Sequence, residues 1–255
     1  MTYTEELVSI VMPSFNSENI IEDSINTVLN QTYSNWELLI VDDCSSDNTV
    51  EIVRKIAKKD KRIKIIELDK NSGAGIARNQ AIKQAKGKFL AFLDSDDLWM
   101  SNKLERQINF MNENNYYFTS TDFNEIEDGK IGEQVTLSHP KLDYAGVLKY
   151  CPGNSTVIYN AEKLGKFYAP DIKKRNDFVV WLQVIKKAEY LYGLNETLTT
   201  YRVRKGSLSK NKVNLIKYQW RVYREIEDLS LIMSTYLLVH KTLVILRRKL
   251  KEKIE

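Results

Sequence analysis

From about residue 7 to residue 93 the chain alternates short apolar runs with helix-patterned segments, and that alternation admits few folds. Residues 7–12 form an apolar run closed by Pro13, Ser14 and Asn16, which reads as a first buried strand. Ile21, Ile25, Val28 and Leu29 follow at helical intervals, and residues 36–41 form a second strand that runs into Asp42 and Asp43. Ser46 or Asp47 can cap a helix through Val50, Val53 and Ile56, after which residues 63–68 read as a third strand. Gly73 and Gly75 open a helix to about Ala85, and residues 89–93 are a fourth strand. Repeated strand–helix–strand units with short connections imply an α/β fold with a mostly parallel sheet flanked by helices. Ligands bind such sheets outside the carboxyl ends of the strands. The loop after strand one, the acids after strands two and four and the glycine loop after strand three all fall on that edge.

The fourth strand ends in Asp94, Asp96 and Asp97. Clustered acids at a buried strand end are costly unless a cation neutralises them, so the cluster reads as a site for a hard divalent metal. Each neighbouring feature also has a plainer reading. Asp42 and Asp43 serve equally as loop acids, Asp47 and Thr49 as capping residues, and the glycines as relief for a tight turn. Their coincidence on one edge favours a nucleotide-type ligand. The commoner nucleotide folds do not fit: the glycine segment carries Arg78 where a dinucleotide fingerprint needs a small residue, and no P-loop motif occurs.

Composition removes other chemistries. The chain has 255 residues, 43% apolar and 28% charged, enough for one packed domain with an appendage. Cys44 and Cys151 make no disulfide framework or Cys-x-x-Cys pair, and two histidines, His139 and His240, disfavour Ser-His-Asp chemistry and histidine-rich zinc sites. The first residues lack a secretory pattern and no run reaches the roughly 20 apolar residues of a membrane span, so a cytoplasmic protein is expected. Charge is uneven: from Arg202 onward there are fourteen Lys and Arg against five Asp and Glu, and the preceding chain is net acidic. Ile226, Leu229, Met233 and Leu237 recur there at helical spacing, a pattern that favours an anionic surface. The acidic remainder and the lack of any nucleic-acid motif argue against nucleic acid.

The segments at residues 9–16, 28–43, 71–79 and 92–99, including Val-Asp-Asp, Asn-Ser-Gly-Ala-Gly-Ile-Ala-Arg-Asn and Phe-Leu-Asp-Ser-Asp-Asp-Leu-Trp, resemble the inverting family 2 glycosyltransferases. Among these the chain is most similar to bacterial enzymes of capsule, O-antigen and teichuronic acid assembly. The resemblance covers roughly residues 7–205. It implies the GT-A fold, a nucleotide-diphosphate sugar donor, with UDP as the expected nucleotide, and Mn2+ or Mg2+ as cofactor.

Roles follow from the resemblance residue by residue. Pro13 and Phe15 match the nucleobase loop, Glu22 an acid near the nucleotide, Asp43 the acid that bonds uracil or ribose, and Arg78 a cation near base and phosphates. Asp94 and Asp96 form the Asp-x-Asp motif, Asp94 facing the ribose or sugar and Asp96 holding the metal; Asp97 supports the turn. Asp177 falls where the catalytic base is expected, and relatives with Glu-Asp there contrast with Asn176-Asp177, which lacks the supporting acid. Arg202 and Arg204 belong to a segment resembling a loop that closes over the diphosphate, with a solvated basic loop as the plainer reading. Residues 122–150 read as an irregular acceptor rim, and Gly153 to Thr156 as acceptor-side without an assigned role.

The expected organisation is a GT-A domain over 1–211, with a nucleotide-sugar half at 1–100 and an acceptor half at 101–211, followed by a basic helical tail at 212–255. A saccharide acceptor carried on a polyprenyl diphosphate would suit a tail lying on the inner face of the plasma membrane. A dimerising or core-packing tail is the rival. Two other functions remain open: a haloacid dehalogenase-like phosphotransferase, disfavoured by Leu98 where Thr or Val is needed, and a non-catalytic nucleotide-binding module.

Overall fold

The computed structural model describes residues 6–132, 135–203 and 212–251. Its first hundred residues follow the expected alternation: β1 (Val8–Ser14), α1 (Ile21–Leu29), β2 (Trp36–Asp42), α2 (Thr49–Ala57), β3 (Ile63–Glu67), α3 (Ala74–Gln84) and β4 (Phe89–Phe92). β1 lies parallel between β2 and β4, and β3 pairs parallel with β2 on the other side. All seven residues of β1 and of β2 are buried, as befits strands covered by helices on both faces. Period-two alternation divides them: Val11, Leu39, Val41 and Phe92 face one apolar layer, while Ile10, Met12, Leu38 and Ile40 face the other with α1 and α4 (Lys103–Asn114).

α2 is started differently from the expectation. Asn48 is its cap position and makes no side-chain capping bond; Asp47 Oδ1 accepts from Thr49 N at 3.0 Å instead. Gly73 does open α3, at φ 90°, a left-handed value that suits glycine.

The second half extends the same sheet with antiparallel members. After β5 (Leu98–Trp99) and α4 come β6 (Phe118–Glu127), β7 (Lys130–Ile131), β8 (Lys141–Leu142) and α5 (Tyr144–Lys149). A 3-10 turn (Asn154–Thr156), β9 (Ile158–Asn160), α6 (Ala161–Leu164), α7 (Asn176–Ala188) and β10 (Leu191–Val203) complete the domain. The main sheet order is β3-β2-β1-β4-β9-β6-β10-β5. Residues 122–150 are therefore not an irregular rim. The strand there escaped notice because Thr119, Ser120, Thr121 and Asp122 are polar yet buried, with Asp122 Oδ1 accepting from Ser138 N at 2.6 Å, so no apolar run marks it.

Two pairings position the site. β9 runs antiparallel to β4, with Ala91 opposite Ile158, which brings the 3-10 turn to the end of β4. β5 pairs antiparallel with β10, with Thr200 opposite Leu98, which carries Tyr201 and Arg202 to the acidic loop.

The tail is helical: α8 (Lys212–Arg221), a π-turn (Val222–Ile226) and α9 (Leu231–Lys251). Here the expected apolar stripe is corrected. Leu237 is buried, and Ile226 and Leu229 are partly buried against the core that holds Trp181 and Tyr223, so these three attach the tail, while Met233, the fourth residue of the stripe, is 47% exposed. Amphipathic periodicity alone cannot tell which partner a stripe meets.

Trp181 on α7 is fully buried, edge-on to Phe92 at 4.8 Å between ring centroids and 6.1 Å from the Phe118 ring. It joins the parallel and antiparallel halves of the sheet. Trp181→Ala should lower unfolding stability by about 3–5 kcal/mol in chemical denaturation, the range for a fully buried large aromatic; a change within a few tenths would show that the two halves are not joined through this ring.

Candidate active site

The carboxyl edge of the parallel strands is built from loops that lock one another. At the end of β1, Pro13 is buried and Phe15 is 47% exposed. Asn16, at φ 46°, receives Ser46 N on Oδ1 (2.9 Å) and donates its own N–H to Ser45 Oγ (2.9 Å). The turn is thereby fixed, with the Phe15 ring at the surface of the edge. Glu22 is exposed on the first turn of α1. Its neighbour Asp23, which no sequence signal distinguished, is the one that reaches the acidic loop's surroundings, accepting from Arg202 Nη2 at 3.0 Å.

Asp42 and Asp43 are both buried and both clamp backbone. Asp42 accepts from Ser45 N (2.8 Å) and Ser45 Oγ (2.6 Å), the loop-supporting task expected of it. Asp43 Oδ1 accepts from Ser72 N (2.6 Å) and Oδ2 from Gly73 N (2.7 Å), tying the end of β2 to the glycine loop that opens α3. Two amide donors satisfy a buried carboxylate well.

Arg78 projects from α3 and is 4% exposed. Its Nη2 donates to Asp94 Oδ1 at 3.2 Å and its Nη1 to Asn176 Oδ1 at 2.5 Å. Asn176 thus meets the Arg78 guanidinium with a neutral amide. Asp94 Oδ1 also accepts from Asn154 Nδ2 at 2.8 Å. Burial pushes the Asp94 carboxyl up to about 6 against the pull of Arg78, with Asp96 and Asp177 adding to the rise. Arg78 thereby links Asp94 to the start of α7, where Asn176 precedes Asp177, whose charge is among those that raise the Asp94 carboxyl.

Asp97 is 2% exposed and accepts from Ser155 Oγ (2.5 Å) and Arg202 N (3.2 Å). Burial, then Asp96 and Asp94, hold its carboxyl well above the usual range. It closes the turn through Asp97 N to Asp94 O at 3.1 Å. Asp96 is partly exposed, and its backbone carbonyl takes Arg202 Nε at 3.0 Å. Arg204 lies outside the described residues.

Three contributors escaped the sequence reading in their actual role. Asn154 and Ser155 hold Asp94 and Asp97, and the Tyr201 hydroxyl accepts from Ser155 N at 3.0 Å. The available signal was a polar Gly-Asn-Ser-Thr run ahead of an apolar strand. Gly153 is required there because a Cβ would collide with the Tyr201 ring and hydroxyl.

The chemistry of this edge suits a hard cation. Three acids in four positions, two with raised protonation and with the Arg78 guanidinium bonded to one of them, leave negative charge that oxygen-ligated metal would offset. Among the described residues no group of three or more His, Cys, Asp or Glu is arranged as a ready metal cage.

The structure is an α/β fold with clustered acids at the carboxyl edge of its parallel strands, and comparison with known proteins gives its class. Residues 9–169 match the model of Glycosyl transferase family 2, and the chain belongs to that family. It is 41% identical over 94% of its length, and 96% of the relative's, to TuaG of Bacillus subtilis, a glycosyltransferase named for teichuronic acid biosynthesis. It is 40% identical, over 91% of both chains, to the UDP-Glc:alpha-D-GlcNAc-diphosphoundecaprenol beta-1,3-glucosyltransferase WfgD of Escherichia coli. The fold is GT-A: Staphylococcus aureus TarS 1-349, solved with UDP-GlcNAc, superposes with a TM-score of 0.73 at 24% identity over 93% of this chain and 71% of that one. A Pyrobaculum calidifontis mannosyltransferase solved with GDP-Man and Mn2+ shares the fold, with a TM-score of 0.68 at 17% identity over 90% of this chain and 66% of that one.

The raised Asp94 carboxyl has a signed consequence. Between about 3.8 and about 6 the folded chain binds a proton there that the unfolded chain has released, so stability falls as pH rises through that window. In metal-free protein, Asp94→Asn should gain stability relative to the parent as pH rises from about 4 to about 6, then level off. A difference in unfolding midpoint that stays flat across that range would contradict the assignment.

Proposed function

We propose that the chain is a metal-dependent, inverting glycosyltransferase that moves a sugar from a UDP-sugar to a saccharide carried on a polyprenyl diphosphate, in the synthesis of a bacterial surface polysaccharide. The observation that carries this reading is that Arg78 bridges Asp94 to Asn176, the residue before Asp177, on the edge that also presents Phe15 and Asp43. The acceptor class is supported by WfgD, whose own acceptor is a GlcNAc on diphosphoundecaprenol. A peripheral position at the cytoplasmic membrane face follows from that acceptor. Membership of family 2 removes the phosphotransferase alternative.

In this reading the base lies against Pro13 and the exposed Phe15 ring, with Asp43 and Glu22 on the nucleoside side. Arg78 orients the phosphates, and Asp94 contacts the ribose or sugar. Asp96, with Asp94 beside it, would hold Mn2+ or Mg2+, whose chemistry is charge stabilisation of the departing diphosphate, worth several kcal/mol in such sites. Arg202, with Arg204 beyond it, screens phosphate charge at the rim. Asp177 accepts the proton of the attacking acceptor hydroxyl on the face opposite the leaving group, which inverts the anomeric centre. A positioned base typically contributes about 10²–10⁴-fold.

A panel of nucleotide sugars with and without Mn2+ or Mg2+, read by thermal shift and by transfer, tests this. A UDP-sugar should stabilise the protein only with metal, and Asp96→Ala should abolish that shift. Asp177→Asn should keep the shift and lose transfer by about 10²-fold or more. Full transfer by that variant would remove Asp177 from the chemistry.

A further inference from the structure

α9 presents the wrong face to solvent for an ordinary surface helix. It packs inward through Ser234, fully buried, Leu237, 1% exposed, and Lys241, whose Nζ donates to Gln219 Oε1 at 3.2 Å and lies 5.7 Å from the Phe178 ring centre. Opposite these, Ile232 is 84% exposed, Tyr236 49%, Val239 53% and Leu243 49%. Their spacing of four, three and four residues places them on one narrow stripe. Leu231, Met233 and Val244 widen it. Solvent-facing stripes on globular proteins are normally polar, and contiguous apolar ones mark interaction surfaces.

Charge selects the partner. Between Leu231 and Lys251 the sequence has Arg247, Arg248, Lys249 and Lys251 besides the inward Lys241, and no acid. A second copy docked on the same stripe would oppose two acid-free, cationic helices, whereas an anionic lipid surface accepts both the apolar stripe and the charge. Among the described residues no helix is long and apolar enough to cross a membrane, so a helix of this kind would lie in the interface plane. Tyr236 suits that depth, with an apolar ring and a polar tip.

We propose that α9 docks on an anionic lipid bilayer through the Ile232, Tyr236, Val239 and Leu243 face. Lys241, on the packed side, stacks over Phe178, the residue after the candidate base Asp177. The docked helix therefore holds the acceptor side of the cleft at the lipid surface. This extends the reading of a lipid-linked acceptor and is measurable without one.

Flotation of the full chain with vesicles of phosphatidylcholine alone, or of phosphatidylcholine with phosphatidylglycerol, tests it. The parent should float with the anionic vesicles, less so at high salt, and little with the neutral ones. A Val239→Asp, Leu243→Asp double variant should lose roughly ten-fold or more of the bound fraction with an unchanged melting temperature. Equal flotation of parent and variant, or no flotation of the parent, overturns the proposal. So does a parent dimer in light scattering that the same substitutions dissociate, since a second copy would then own the stripe. UDP-sugar hydrolysis without acceptor is read on the same samples. Flotation without hydrolysis counts against the enzymatic reading alone, and hydrolysis without flotation counts against the lipid contact alone.

Discussion

Ser155 is fully buried, and every polar group it has is tied to the acidic loop or to the strands around it. Its Oγ accepts from Asp94 N at 3.1 Å and donates to Asp97 Oδ2 at 2.5 Å. Its carbonyl receives the Trp99 indole N–H at 2.8 Å and the Thr199 hydroxyl at 3.2 Å, and its N–H is received by the Tyr201 hydroxyl. One residue thus joins the ends of β4, β5 and β10. The spacing of the acids depends on it, because the Asp94–Asp97 turn has no regular element of its own beyond β5. A network satisfied at every member rigidifies, whereas one missing partner leaves a buried acid unpaired.

Rigidity of this kind lets the protein keep charge where burial opposes it. Asp94 and Asp97 hold their protons more tightly than free carboxyls because they are desolvated and feel the charge of Asp96, with Asp177 adding to the rise at Asp94 and Asp94 to that at Asp97. The Arg78 guanidinium offsets part of that charge and is itself shared with Asn176 rather than with a second acid. The cleft therefore rests in a state that a cation and an anionic diphosphate would complete together. In the proposed function, these oxygen donors are preset at the sheet edge and the compensating charge would come with the metal-bound donor.

The parallel half was legible because its strands are apolar on both faces and end in acids, as buried α/β strands do. Asp42, Asp43, Arg78, Asp94 and Asp96 fall on the edge expected of them. The antiparallel half was not legible, since β5 and β9 are two and three residues long and β6 buries Thr and Ser behind hydrogen bonds. Ser155 carried no motif; its importance comes from pairings remote in sequence. In the tail, the stripe through Leu229 and Leu237 has the right period but the inward direction, and only packing against α5 and α7 reveals that Val239 and Leu243 are the ones left outside. Asp23 shows the same limit, since its bond to Arg202 spans most of the chain and no local pattern marks it.

In the proposed reaction the acids after β4 bind a divalent cation jointly with the donor's diphosphate. Electron paramagnetic resonance of free Mn2+ tests it directly, with protein alone, with UDP, and with uridine as the control lacking phosphates. Protein and UDP together should deplete the free Mn2+ signal well beyond the separate effects of each, and uridine should add nothing. Purely additive depletion, or the same gain with uridine, would contradict it.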